Sequence, residues 1–316
     1  TYETDVKENS GIYEKLPFTS QKRPEADFQI LKKVRFARIQ IRENRWLNRP
    51  WTMDFWKYGY QGKKIYCSSH KEGEVTCKTI KIKDYWEGEA GIYSEGIKAE
   101  LKSETAENWK NLILEYAPEK EHLEVLDVGC GPGFFEIMLG KEGHHVTGID
   151  ITENMIHEAK ENVKAAGLSA DLMTMDCHNL NFPDETFDMI ICRNITWTLD
   201  DPQKAYKEWL RVLKKGGRLL VSDACWYLHL YDEEKKKIYE AHDAAMWEKY
   251  GRGIHAHEDA ETGKELSSKL FMSDKKRPAW DLDHMMEIGF SKVFALKDIS
   301  DISRTSMDRE LNKLTP

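Results

Sequence analysis

Glu124-Val125-Leu126-Asp127-Val128-Gly129-Cys130-Gly131-Pro132-Gly133-Phe134 decides how the rest of the chain is read. Val125, Leu126 and Val128 form the apolar run of a buried strand. Three glycines follow at once, and Phe134-Phe135-Glu136-Ile137-Met138-Leu139 then opens a helical period. Strand, glycine turn and helix in that order make up a nucleotide-binding βα unit. A Cβ there would block a ligand from the backbone, and the turn uses φ values that other residues resist. The spacing is G-x-G-x-G, not the G-x-G-x-x-G of dinucleotide binders, and an acid, Asp127, stands just before the first glycine.

Further segments extend the pattern. Val146-Thr147-Gly148-Ile149-Asp150 reads as a second strand ending in an acid. That acid lies about 20 residues past the glycine loop, where a ribose-binding carboxylate is expected. Asp176 comes next, ahead of Leu180 to Asp188; Phe187 to Cys192 reads as the fourth strand and Leu213 to Val221 as the turn into the fifth. On these motifs the chain resembles the class I S-adenosylmethionine (SAM)-dependent methyltransferases over roughly residues 84–294. The nearest branch is the small-molecule one that includes quinone-biosynthesis enzymes.

The resemblance implies an α/β, Rossmann-like fold: a doubly wound, mostly parallel sheet with an N-terminal extension and an insertion after the fifth strand. It implies SAM as cofactor. The loop Gly129, Cys130, Gly131 and Gly133 would take the amino-acid end of SAM. Asp127 would support that loop or reach the ammonium through water, unless it simply caps the turn. Asp150 would hold the ribose, Ile151 and Met155 would flank the adenine, and Asp176 with the Cys177 backbone would read the adenine edge. Ile151 and Met155 serve equally well as core residues. Arg193-Asn194 would offer backbone carbonyls to the ammonium. The lead-in segment, Asp84-Tyr85-Trp86 with Ala90 and Tyr93, would fold over the site.

Composition fits an enzyme of the cytoplasm. The chain has 316 residues, 40% hydrophobic and 32% charged, enough for one large domain plus an appendage. A net charge of -8 argues against a general nucleic-acid binder. No long apolar run suggests a membrane span. The six cysteines contain no C-x-x-C pair and read as reduced thiols.

Residues 1–83 read as an extension: a helix from Pro24 to Arg45, an aromatic cluster (Trp46 to Tyr60), and a hairpin of Lys64 to Cys67 with Val75 to Ile82. The methyltransferase-like domain is 84–316. It contains a helix near Ser103 to Tyr116, an insertion at 224–277 that shapes the acceptor pocket, and a sixth strand over Ser291 to Leu296. A seventh strand is either truncated or supplied by the extension.

Acceptor-side candidates are Tyr227, His229 and His242 of the insertion together with Tyr93, with either histidine a general base near neutral pH. A surface or hydrogen-bonded histidine is the alternative for each. His255, His257 and Glu258 have metal-ligand chemistry, but residues two apart point to different sides of a strand or helix, so no metal site is assigned. Cys67, Cys77 and Cys225 invite a thiol-bound metalloid acceptor, although the cysteine motifs of such enzymes are missing. Gln21 to Pro50 carries nine Lys/Arg against three acids. An RNA partner is one reading of that segment and a solvated helix face is the other. No N-P-P-Y motif follows the fourth strand. The sequence therefore points to methyl transfer onto a small molecule. An RNA-modifying enzyme, a non-catalytic SAM sensor and a metalloid methyltransferase are its rivals, and the oligomeric state is open.

Overall fold

A computed structural model of the chain describes residues 12–14, 77–251, 270–296 and 299. The expected helix over 24–45, the aromatic cluster of 46–60, the first hairpin arm at 64–67, the His255 to Glu258 group and the tail at 303–316 lie outside the described residues. In chain order the elements are β1 (Ile12–Glu14), α1 (Cys77–Glu100), α2 (Glu104–Tyr116), β2 (Glu124–Val128), α3 (Phe134–Gly140), β3 (His145–Asp150) and α4 (Glu153–Ala165). Then come β4 (Asp171–Thr174), β5 (Phe187–Arg193), α5 (Pro202–Val212), β6 (Leu213–Ser222), α6 (Glu233–Tyr250), α7 (Ala279–Ile288) and β7 (Phe294–Leu296).

Five strands form one parallel sheet in the order β4-β3-β2-β5-β6. The chain steps outward from β2 to β4, then returns to the other side of β2 for β5 and β6. β2 and β5 thus flank the switch point, where open α/β sheets bind ligands beyond the strand carboxyl ends.

Residue alternation sorts the strands into two layers. Leu126, Val128, Ile149, Ile190 and Cys192 pack with Tyr206, Trp209, Leu282 and Met285 of α5 and α7. Val125, Val146, Met189 and Ile191 face the other way and pack with Trp109, Ile113, Phe135 and Leu139 of α2 and α3. By the same period of two, Asp127, Gly148, Asp150 and Arg193 share the α3 side, at or near the strand ends.

Two expectations are corrected. Residues 77–82 belong to α1, so the second hairpin arm is not a strand there, and the 83/84 boundary falls inside a helix. Short-range alternation within Val75 to Ile82 suggested β structure. A longer helical stripe of Ile82, Ala90, Ser94 and Ile97, all buried, prevails. Phe294–Leu296 is a strand but not a sixth member of the main sheet; it pairs antiparallel with Ile12–Glu14 of the extension as a separate ribbon. No helix among the described residues is long and apolar enough to cross a membrane.

Candidate active site

The glycine loop bridges β2 and α3. Gly129 and Cys130 both donate backbone N–H to the Ile149 carbonyl, at 2.8 and 3.0 Å, which clamps the loop onto β3. All three glycines have positive φ (72°, 52° and 91°). Their lost side chains serve different ends. A Cβ on Gly129 would collide with Ile195, whereas one on Gly133 would only touch Ala159 of α4, at 3.4 Å. Only at Gly131 does the space face a ring: its absent Cβ would lie 3.5 Å from Tyr93.

α1 reaches this loop because it is bound along its length. The Glu87 carboxylate accepts the backbone N–H groups of Glu153 and Asn154 (both 2.9 Å) and so caps α4. Buried Asn162 donates to Ser94 Oγ and to the Pro132 carbonyl. At the C-terminal end of α1, Glu100 takes Arg193 in a two-pronged ion pair, 3.0 Å on each arm. The Arg193 guanidinium lies 4.4 Å over the Phe134 ring. Burial works against its charge, but Glu100 holds it on.

Asp127, Asp150, Arg193 and Tyr93 therefore meet around one loop. Asp150 accepts three hydrogen bonds: Oδ2 from Gly131 N–H (3.1 Å), Oδ1 from Thr152 N–H (2.9 Å) and from Thr152 Oγ1 (2.6 Å). A carboxylate has about four acceptor sites, so only about one is left over. Burial raises the Asp150 carboxyl, against the pull of Thr152 and Gly131. Asp127, 2% exposed, makes no hydrogen bond or ion pair among the described residues.

The adenine-side candidates adjoin this group, since Met175 donates to the Asp150 carbonyl at 2.9 Å. The Asp176 carboxylate is occupied: it accepts His178 N–H (2.9 Å) and pairs with His178 Nδ1 (2.7 Å). The His178 bond holds Asp176 down to about 2. On His178 burial pulls downward, and hydrogen bonds to Asp176 and Cys177 override it to about 10. The Cys177 carbonyl accepts the Trp209 indole at 3.1 Å. Ile151 is half-buried, whereas Met155 is buried in the first turn of α4. A surface depression of about 450 Å³ lies beside His178, Leu180, Lys204 and Glu208. It sits away from the glycine loop, and the polar groups that converge on the loop are the better guide to the chemistry.

On the acceptor side, Trp197 donates its backbone N–H to Asp223 (3.0 Å) and its indole to the Asn194 carbonyl (2.9 Å). Its ring lies 5.6 Å from that of Tyr227. Tyr227 is 6.2 Å from His229, which stacks on Tyr239 at 3.9 Å. His242, three residues beyond Tyr239 on α6, is buried. Behind the row, buried Arg277 reaches Thr196 Oγ1 (2.6 Å), Asp223 (3.3 Å) and Asp281 (2.8 Å). This binds the end of the insertion to the turns after β5 and β6. Glu100, Glu136, Trp197 and Arg277 escaped the sequence reading.

Residues 126–221 match the methyltransferase-domain family. The chain carries a class I methyltransferase domain. It is an enzyme domain whose cofactor is SAM. The cradle fits that group: an open glycine backbone under Tyr93, and a carboxylate side chain at Asp127 with no hydrogen-bond partner among the described residues.

Among curated relatives, maize (Zea mays) phosphoethanolamine N-methyltransferase 1 is 36% identical over 135 residues, 41% of this chain and 26% of that protein. A ubiquinone biosynthesis O-methyltransferase of Coxiella burnetii is 36% identical over 98 residues, 31% of this chain and 42% of that protein. The chain thus spans under half the length of these relatives. A solved SAM-dependent methyltransferase from Aquifex aeolicus is 31% identical, with 38% of this chain and 67% of that one covered, at a TM-score of 0.33.

Proposed function

We propose that the chain moves a methyl group from SAM to a small-molecule acceptor by in-line displacement. The contact between Trp197 and Tyr227 carries this reading, because it joins the insertion to the turn after β5, whose Ile195 packs on the cofactor loop. Ile195 fills the space over Gly129, and Trp197 lies two residues on. The aromatic row of Trp197, Tyr227, His229 and Tyr239 therefore begins at the loop's edge. Such rings exclude water and align an acceptor without demanding a particular polar partner.

SAM supplies an electrophilic methyl on a sulfonium. The chain's task is alignment, with the acceptor atom held within about 3–3.5 Å behind the methyl. Gly131 offers the close backbone approach, Asp127 faces the cationic end of the cofactor, Asp150 takes the ribose, and Tyr93 covers the loop. His229 is the assigned base where the acceptor is a hydroxyl or ammonium. His242, buried on α6, supports the insertion.

Cys130, Cys177, Cys192 and Cys225 are free thiols, which supports a reducing, cytoplasmic setting. Cys225 lies against the Lys275 and Arg277 carbonyls, which favours a structural role over metalloid binding.

The test is calorimetric titration with SAM, followed by turnover with phosphoethanolamine and with O-methyl acceptors of ubiquinone biosynthesis. Asp150→Ala should weaken SAM binding at least tenfold. Tyr93→Phe should retain turnover if the ring alone covers the loop. SAM uptake with no product from any acceptor would favour the sensor reading instead.

A further inference from the structure

Three carboxyl groups converge beneath the glycine loop: Asp127 from β2, Glu136 from α3 and Asp150 from β3. Glu136 fills the room that Gly148 leaves, since a Cβ at 148 would collide with its carboxylate. Glu136 is 1% exposed, and neither of its oxygens has a hydrogen-bond partner. Asp127 is likewise buried and makes no hydrogen bond among the described residues, whereas Asp150 accepts three. The cation acting on the cluster is Arg193 of β5, and Glu100 of α1 already neutralises it. The other titratable groups that act on the cluster are Cys130 of the loop, Cys192 of β5, Cys177 next to Asp176 and Glu87 of α1, while Tyr93 of α1 acts on Arg193. None of these brings positive charge.

Charge counting then constrains the resting state. A buried carboxylate with neither hydrogen bond nor counter-ion is strongly disfavoured and neutralises itself by keeping its proton. Two such groups side by side cannot both ionise. Burial raises both Asp127 and Glu136, and both Glu136 oxygens are fully buried with no hydrogen-bond partner.

We propose that Asp127 rests as a neutral acid above a permanently neutral Glu136, and that docking of the SAM α-ammonium expels the Asp127 proton to solvent. The O–H bond of Asp127 breaks, the carboxylate pairs with the ammonium, and Glu136 keeps its proton. Cofactor affinity then rises with pH as proton expulsion becomes easier, until the ammonium itself titrates at about 7.7–8.0. The inference rests on the reading that the loop takes the amino-acid end of SAM.

Calorimetry at pH 6.5 in two buffers of different ionisation enthalpy counts the protons released. S-adenosylhomocysteine keeps the ammonium, whereas methylthioadenosine lacks the amino-acid end. The full chain should release close to one proton with the first and none with the second. Affinity for S-adenosylhomocysteine should rise about tenfold from pH 6 to pH 7. Asp127→Asn should abolish release. Difference infrared spectra supply the site assignment. One neutral-carboxyl band should vanish on S-adenosylhomocysteine binding and be missing in Asp127→Asn. A second should persist and be missing in Glu136→Gln.

Binding without proton release, equal release with methylthioadenosine, or release that survives Asp127→Asn would each overturn the proposal and leave the SAM reading intact. No binding of S-adenosylhomocysteine would overturn both. Should Glu136→Gln fail to fold, the proton counts of the native chain and Asp127→Asn still decide the matter.

Discussion

Replacing Glu100 with glutamine strands a buried cation. Arg193 and Glu100 side chains are each 7% exposed, and both arms of the pair are 3.0 Å long. Removing one member of such a pair costs about 3–5 kcal/mol where nothing else compensates the remaining charge, and Asp127, which also feels Arg193, recovers part of that. The ring of Phe134, 4.4 Å below the guanidinium, remains and offsets only about 0.5–2 kcal/mol. Taking a net loss of about 3 kcal/mol and about 3 °C per kcal/mol, the unfolding midpoint should fall by about 9 °C. Scanning calorimetry measures it directly. Urea titration should show a lower midpoint at unchanged slope, because the exposed surface is the same. The double variant Glu100→Leu with Arg193→Met removes both charges at similar volume and should recover most of the loss. A drop of less than about 3 °C in Glu100→Gln, or a double variant worse than the single, would refute the reasoning, since the pair would then be wet. A second readout follows from the electrostatics. An unpaired Arg193 turns its charge on Asp127, so Glu100→Gln should also release fewer protons on S-adenosylhomocysteine binding.

Three further outcomes are expected. Gly129→Ala has to hold φ near 72° and displace Ile195, so SAM affinity should fall at least tenfold; adding Ile195→Ala should recover part of it, whereas simple additivity would deny the contact. Trp197→Ala should lower kcat/KM for the acceptor roughly tenfold while SAM affinity changes little, and an equal loss in SAM affinity would place Trp197 in the cofactor site instead. His178 has a folded pKa of about 10 against about 6.5 unfolded, so its stabilisation is full below pH 6.5 and is lost as pH rises toward 10. Denaturant midpoints of His178→Gln should therefore fall less over that alkaline window than those of the parent, and equal slopes would count against the assignment.

The sheet was legible because its signals are local. The run Val125 to Val128, the glycines after it and the acid at 150 each announce themselves within a few residues, and a period of two then sets Asp127, Asp150 and Arg193 on one face. α1 misled because its first turns alternate like a strand, and the helical stripe becomes visible only over 16 residues, from Ile82 to Ile97. No local pattern predicts that Glu100 meets Arg193, because that pair is created by the fold across 93 positions. Trp197 and Arg277 were hidden for the same reason: Asp223 and Thr196 gather them from separate turns. Glu136 did leave a trace. It is an ionisable residue set in Phe134-Phe135-Glu136-Ile137-Met138-Leu139, where every neighbour faces the core.

That trace also separates the glycines by purpose. Gly148 lies in a strand interior, where glycine weakens the ladder and therefore needs a reason. Its reason is Glu136, whose carboxyl takes the place of a side chain at 148. Gly129 gives way to Ile195 and so serves packing, whereas Gly131 and Gly133 leave ordinary contact room, toward Tyr93 and toward α4. A G-x-G-x-G motif read from sequence credits all three glycines to the ligand. In this chain Gly129 draws a neighbouring element close, and the packing leaves Asp127 and Glu136 without a hydrogen-bond partner among the described residues. Arg193, already paired to Glu100, is the cation that acts on Asp127. The glycine spacing and the neutral acid are then one arrangement: the close packing that shapes the cradle is also what makes an ionised Asp127 depend on an incoming cation.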